Sequence, residues 1–304
     1  MKRVAIIALA AVLGAVSAGA ADVMLTFKHP EGSRVMRVED KISQVLTLAG
    51  TEVPTRLAST TLIRTDVGKR AEDGSIRLKY TFTGLKAELE AAGDLKAAFD
   101  SDKPDESRVD NPQLQPVVDA WKAVKGLSYT VVLDSTGKVK TVEGTETLPA
   151  VLSPAASSFS AANLKREAEE ELGLFPPTPV KKGERWLRLE SKDLGGGQSL
   201  SYETYYQYEG PVEKDGRTLD KLSVFISTAR LSIDPNSQLP ARVKQSDLKV
   251  ESSTGHVLFD RERGMVVERS TSTRIVGTLV LDVMGMELAG KLDLGLEQTI
   301  SERK

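Results

Sequence analysis

Apolar and polar residues alternate along most of the chain. In Ile76-Arg77-Leu78-Lys79-Tyr80-Thr81-Phe82 every second residue is apolar, the period of a strand with one buried face. Tyr202, Tyr206 and Tyr208 likewise share one face and alternate with Ser201, Glu203, Tyr205 and Gln207. From Met24 to Ala87 the pattern predicts strands divided at Glu31-Gly32, Gly50 and Asp73-Gly74. Asp-Gly suits hairpins because both central positions of a type I′ turn take positive φ. Leu85 to Ala98 is rich in helix formers, but Gly93-Asp94 sits mid-way like a turn, so it is read as a hairpin. Another hairpin, Leu127–Leu133 with Lys138–Val142, closes on Asp134-Ser135-Thr136-Gly137.

Two segments change period. Asn111-Pro112 supplies an N-cap and a first-turn Pro, and Leu114, Val117, Val118, Trp121 and Val124 follow at helical spacing until Gly126. A second helix is predicted at about Ala161 to Leu172, with a narrow stripe of Leu164, Ala168 and Leu172 and charges elsewhere. Pro176-Pro177-Thr178-Pro179 then breaks the chain. Beyond it strands are predicted at Trp186–Leu189, Leu200–Tyr208, Leu219–Leu231, Ala241–Val250, Val257–Asp260, Met265–Val283 and Leu288–Ile300. Gly195-Gly196-Gly197, Asp215-Gly216, Thr254-Gly255 and Arg263-Gly264 supply the turns between them. The expected fold is mainly β (α+β), a curved antiparallel meander or half-barrel with two helices packed on it. The expected organisation is a leader at 1–20, a β-rich half with two helices at 21–175, and an antiparallel half at 176–304 that continues the first or stands beside it.

The leader follows from Lys2-Arg3, the 13 uncharged residues Val4 to Val16, and Ala18-Gly19-Ala20, the small-x-small pattern of a signal peptidase site. An exported, periplasmic or extracellular protein is therefore expected, with no stable membrane span after cleavage. Removing the leader leaves 39 basic against 43 acidic residues, which argues against nucleic acid as a partner. The absence of cysteine excludes disulfides, thiolate catalysis and Cys-ligated zinc, and His29 and His256 alone cannot build a His-rich metal site.

Catalytic signals are sparse. Arg166-Glu167-Ala168-Glu169-Glu170-Glu171-Leu172-Gly173-Leu174 resembles the second half of the Nudix box, whose helix carboxylates hold divalent metal against a diphosphate. The first half is missing, since the family's Gly would fall on Leu152 and its first Glu on Ser158. Gly173 is equally a helix C-cap. Ser135-Thr136-Gly137-Lys138 lies on a hairpin tip, and no G-x-S-x-G elbow accompanies His256. No catalytic residue, metal ligand or cofactor is assigned.

A wider likeness rests on Phe99-Asp100-Ser101-Asp102, the Gly137-Lys138-Val139 hairpin, Gly183-Glu184-Arg185-Trp186, Tyr202 to Gly210, Asp215-Gly216, and Phe259-Asp260 with Gly264. These features resemble an uncharacterised family of secreted bacterial proteins, a domain of unknown function. The family implies no activity. The expected layout is also similar to periplasmic lipoprotein-carrier half-barrels. On that layout Trp121, Trp186, Tyr202, Tyr206 and Tyr208, with Phe225, either fill a closed core or line a cavity for a small apolar ligand or lipid. The alternatives are a structural or interaction protein of the cell envelope and, third, a Nudix-type hydrolase.

Overall fold

The computed structural model describes residues 22–303 apart from 94, 147–158, 196–197, 234–240 and 284. The leader read at 1–20, and Leu152 and Ser158, lie outside the described residues. Two long hairpins open the chain: β1 (Gly32–Leu48) turns through Ala49-Gly50 into β2 (Thr51–Val67), and β3 (Ile76–Ala91) turns at Gly93 into β4 (Leu95–Asp100). Both Ala49 and Gly50 have positive φ, 48° and 84°, as a two-residue type I′ turn requires. After β5 (Arg108–Val109), Asn111 accepts a hydrogen bond from the Gln113 amide at 2.9 Å and starts the turn that leads into α1 (Gln115–Val124). Then come β6 (Ser128–Leu133), β7 (Val139–Glu143) and α2 (Ala161–Leu172). The second helix is capped by Ser160, whose hydroxyl accepts from the Asn163 amide at 3.2 Å. The remainder is a run of long strands: β8 (Arg185–Gly195), β9 (Gln198–Lys214), β10 (Arg217–Ile233), β11 (Ala241–Asp260), β12 (Met265–Val283) and β13 (Met286–Glu302).

All pair antiparallel in one open sheet, ordered β5-β4-β3-β2-β1-β13-β12-β11-β10-β9-β8, with β6 and β7 branching from β3. Because β1 hydrogen-bonds to β13, strands on both sides of the Pro-rich break share this sheet. The fork lies in β3, whose first half pairs with β6 and whose second half pairs with β4, around an irregularity facing Leu62/Ile63.

Strands of 17–20 residues are far longer than the usual ~5–6 and must coil. Bulges in β10 and β11 increase the local twist. Thr254-Gly255, expected as a turn, instead runs straight through β11. The physical reason is close approach: a Cβ on Gly255 would lie 2.6 Å from the Ser270 carbonyl oxygen of β12. The curl is strong enough for side chains to meet across the concave side. Lys192 on the edge strand β8 pairs with Asp40 on β1 at 3.0 Å, six strand positions away.

Apolar clusters pack toward the two ends of this half-barrel. At one end the segment before β1 bridges to the segment after α2 through Val23 and Val180, and Phe27, Phe175 and Phe259 pack ring against ring at 4.6–5.7 Å. At the other end Leu200, Leu231, Ile275 and Leu292 belong to one buried cluster. Separate clusters lie under α2, around Leu164, and under α1, around Val118. Among the described residues no helix is long and apolar enough to cross a membrane.

Candidate functional site

Between these end clusters the concave face leaves a partly open cavity of about 470 Å³. Its apolar wall comes from Met36 and Val38 on β1, Ile63 on β2, Ile226 on β10, and Leu296 and Ile300 on β13. Tyr80 of β3 and Tyr129 of β6, stacked with centroids 5.1 Å apart, form one flank. Burial, reinforced by nearby Glu171, pushes both phenols well above their ordinary pKa, so they stay neutral. Helix α2 lies alongside the cavity: Leu164 is buried against the sheet, while Glu167, Glu170 and Glu171 border the cavity.

A polar belt crosses the hollow. Arg269 of β12 donates to the Tyr206 hydroxyl at 2.8 Å, and Tyr206 donates in turn to Glu190 of β8 at 2.7 Å. Glu190 also lies 3.5 Å from Arg269 and 3.8 Å from Arg188. Burial alone would lower the Arg269 pKa, but the facing Tyr206 and Glu190 outweigh it and hold the guanidinium charged. Further along, Asp40 receives both Lys192 and the Gln298 amide, at 3.0 and 2.9 Å.

Several polar atoms of this belt have no partner. The Thr204 hydroxyl, on a residue only 1% exposed, makes no hydrogen bond, and neither do the buried Nε atoms of Arg34 and Arg269 nor Nη1 of Arg188. Thr204, Arg34 and Arg269 all border the cavity. The remaining atoms of this kind among the described residues, Arg188 Nη1 and the Thr81 hydroxyl, belong to residues that do not border it.

The residues singled out from the sequence fall into three places. Tyr202 borders the cavity. Trp186, Tyr206 and Tyr208 sit in the cluster at the aromatic end, and each finds its polar partner within the protein: Leu174 carbonyl at 3.0 Å for Trp186, Glu190 for Tyr206, and Asp220 at 2.6 Å for Tyr208. Their polar atoms thus need neither ligand nor water. Trp121 does face the sheet, but it packs under α1 against the cluster of Phe99, Leu114 and Val118, away from the cavity. Phe225 stacks on Tyr205, which alternates with the inward tyrosines and so lies on the other face. Sequence reasoning missed Arg34, Arg188, Glu190, Thr204 and Arg269. A signal existed, because Arg188, Glu190 and Lys192 share the phase of Trp186, whereas Leu187 and Leu189 in the opposite phase are 47% and 75% exposed.

The acidic helix does not assemble a metal centre. Glu170 is held by Arg166 at 2.9 Å, and among the described residues no three His, Asp or Glu side chains converge to hold a metal.

Residues 73–215 match the model of a family of unknown function, DUF6263. The likeness to an uncharacterised domain read from the sequence is borne out over that stretch, which leaves Phe259-Asp260 and Gly264 outside it. The matched part includes Tyr80, Tyr129, α2, Glu190 and Thr204. No curated protein matches the sequence. Among solved structures the chain is similar to lipovitellin, in a study of its lipid–protein interactions, at 9% identity and a TM-score of 0.45, covering 91% of this chain. It spans 26% of the lipovitellin chain. DynF from the dynemicin pathway of Micromonospora chersina (10% identity, 92% and 85% of the two chains, TM-score 0.21) and the translocator domain of the autotransporter NalP from Neisseria meningitidis (9%, 90% and 89%, TM-score 0.22) are further likenesses.

Proposed function

We propose that the protein is a binding module that holds a small apolar or amphipathic ligand in the hollow of its half-barrel. The observation that carries this reading is the cavity itself. At about 470 Å³ it falls within the ~300–1,000 Å³ of ordinary ligand pockets, and it combines aliphatic walls with a few convergent polar groups. Interiors are normally packed to crystal-like density, so a partly open hollow of this size between two apolar clusters favours a ligand site. The proposal includes export with loss of residues 1–20, which would place the binder in the periplasm or medium; a mature N-terminus at Ala21 is the corresponding observation to make. The binding test is titration of the mature protein with N-phenyl-1-naphthylamine, a neutral apolar probe that brightens on leaving water. Saturable one-to-one enhancement supports the reading, and no response rejects it.

A second reading, an interaction protein of the cell envelope, draws on the edge strand β8. Leu187 and Leu189 project outward there, in a strand whose second edge has no partner among the described residues. Replacing both by Ser would abolish such association while leaving the cavity untouched.

A further inference from the structure

We infer that the ligand is a single-chain amphiphile with an anionic head, a carboxylate or phosphate ester, taken up by the arginines of the belt; the inference rests on the cavity being a ligand site. The first ground is charge. Within the belt Arg188 and Arg269 share Glu190 as their ion-pair partner, and Glu171 of α2 also acts on Arg269. Arg34, bordering the same cavity, makes no ion pair among the described residues: its Nη1 reaches only the Met265 sulfur at 3.7 Å, a weak acceptor, and nearby Glu302 is taken by Arg263 at 2.7 Å. Lys192 and Asp40 cancel one another. Of the cations bordering the cavity, Arg34 therefore lacks a carboxylate partner of its own, which a bound anion would supply.

The second ground is the direction of the unmet need. The Nε atoms of Arg34 and Arg269 are donors only, and Thr204, buried and unpartnered on β9, offers a hydroxyl to the same space. Donors without acceptors around an apolar hollow fit an oxygen-rich anion attached to a hydrocarbon tail. The opposing charges come from α2. Glu170 is already paired with Arg166, and Glu167 and Glu171 border the cavity close enough to act on Tyr129 and, for Glu171, on Arg269.

The test is displacement of bound N-phenyl-1-naphthylamine from the mature protein by palmitate, hexadecyl phosphate, hexadecanol, hexadecylamine and inorganic phosphate. Wild-type protein should prefer palmitate and hexadecyl phosphate over hexadecanol by at least about tenfold, with inorganic phosphate ineffective. Arg34→Gln, and separately Arg269→Gln, which leaves Glu190 paired with Arg188 and bonded to Tyr206, should bring that ratio toward one while hexadecanol affinity stays within about twofold. A residue serving only as a brace would move all ligands together. Equal wild-type affinity for palmitate and hexadecanol, or tightest binding of hexadecylamine, overturns the inference while sparing the cavity reading. Displacement by inorganic phosphate as strong as by hexadecyl phosphate replaces the amphiphile with a free anion. No binding of probe or amphiphile overturns both.

Discussion

At the aromatic end of the half-barrel, Tyr206 and Tyr208 bury polar groups that Glu190, Asp220 and Arg261 fully engage, while Phe27, Phe175 and Phe259 fill the remaining space. Thr204, two residues before Tyr206 on the same strand and the same face, has neither a polar partner nor a filled neighbourhood. The two regions share strands, register and composition, yet one is a finished core and the other is not. Adjacent positions on β9 thus differ in what they lack rather than in residue type. The unmet groups of Arg34, Arg269 and Thr204 coincide with the unfilled volume, and that coincidence is the ground for proposing an occupant there.

The contrast can be broken by substitution. Phe259→Ala, at a fully buried position of the finished end, should cost about 3–5 kcal/mol in chemical denaturation and leave ligand selectivity unchanged in the folded fraction. Val38→Phe, in the wall of the hollow region, should instead lower probe affinity by about tenfold or more with a stability change below about 1 kcal/mol, because the new ring enters space already empty. A stability loss as large as that of Phe259→Ala would mean that the belt is as tightly packed as the ends.

His29 sharpens the comparison at the aromatic end. Burial, with help from Arg34 and Arg70, lowers its pKa from 6.5 to about 4. The folded state therefore resists a proton that the unfolded chain accepts. Its contribution is fully present above pH 6.5 and is lost as pH falls from 6.5 toward about 4. Thermal melts of the wild type should show a loss on the order of 1–2 kcal/mol across that window beyond the loss in His29→Asn, which keeps a residue tolerant of the positive φ at this position. Identical pH profiles would show that His29 is solvated. The smallest effect is expected from Thr204→Val: exchanging an unpartnered buried hydroxyl for a methyl should be neutral or stabilising by up to about 1 kcal/mol without ligand, and should weaken hexadecyl phosphate binding.

Much of the fold was legible locally. Turn chemistry located the hairpins at Gly50, Gly93 and Asp215-Gly216, and the apolar stripe of Leu164, Ala168 and Leu172 located α2 from Ala161 to Leu172. Gly255 was misread because a glycine needed for backbone approach and one needed for a turn look alike until the neighbouring strand is known. The aromatic residues were good guides to the finished core and poor guides to the hollow one. Apolar periodicity finds residues that pack, whereas the belt consists of arginines and a glutamate whose inward phase shows only when Leu187 and Leu189 are seen to point outward. Contacts such as Lys192 with Asp40, 152 residues apart, depend on the curl of the whole sheet and have no local signature.

The most direct measurement is native mass spectrometry of the mature protein recovered without detergent from the cells that make it, followed by extraction of whatever it carries. The account predicts one adduct per chain, resolved on extraction as a single-chain amphiphile with a carboxylate or phosphate head and absent from the Val38→Phe protein. A bare chain mass, together with no uptake of added palmitate or neutral probe, would contradict it.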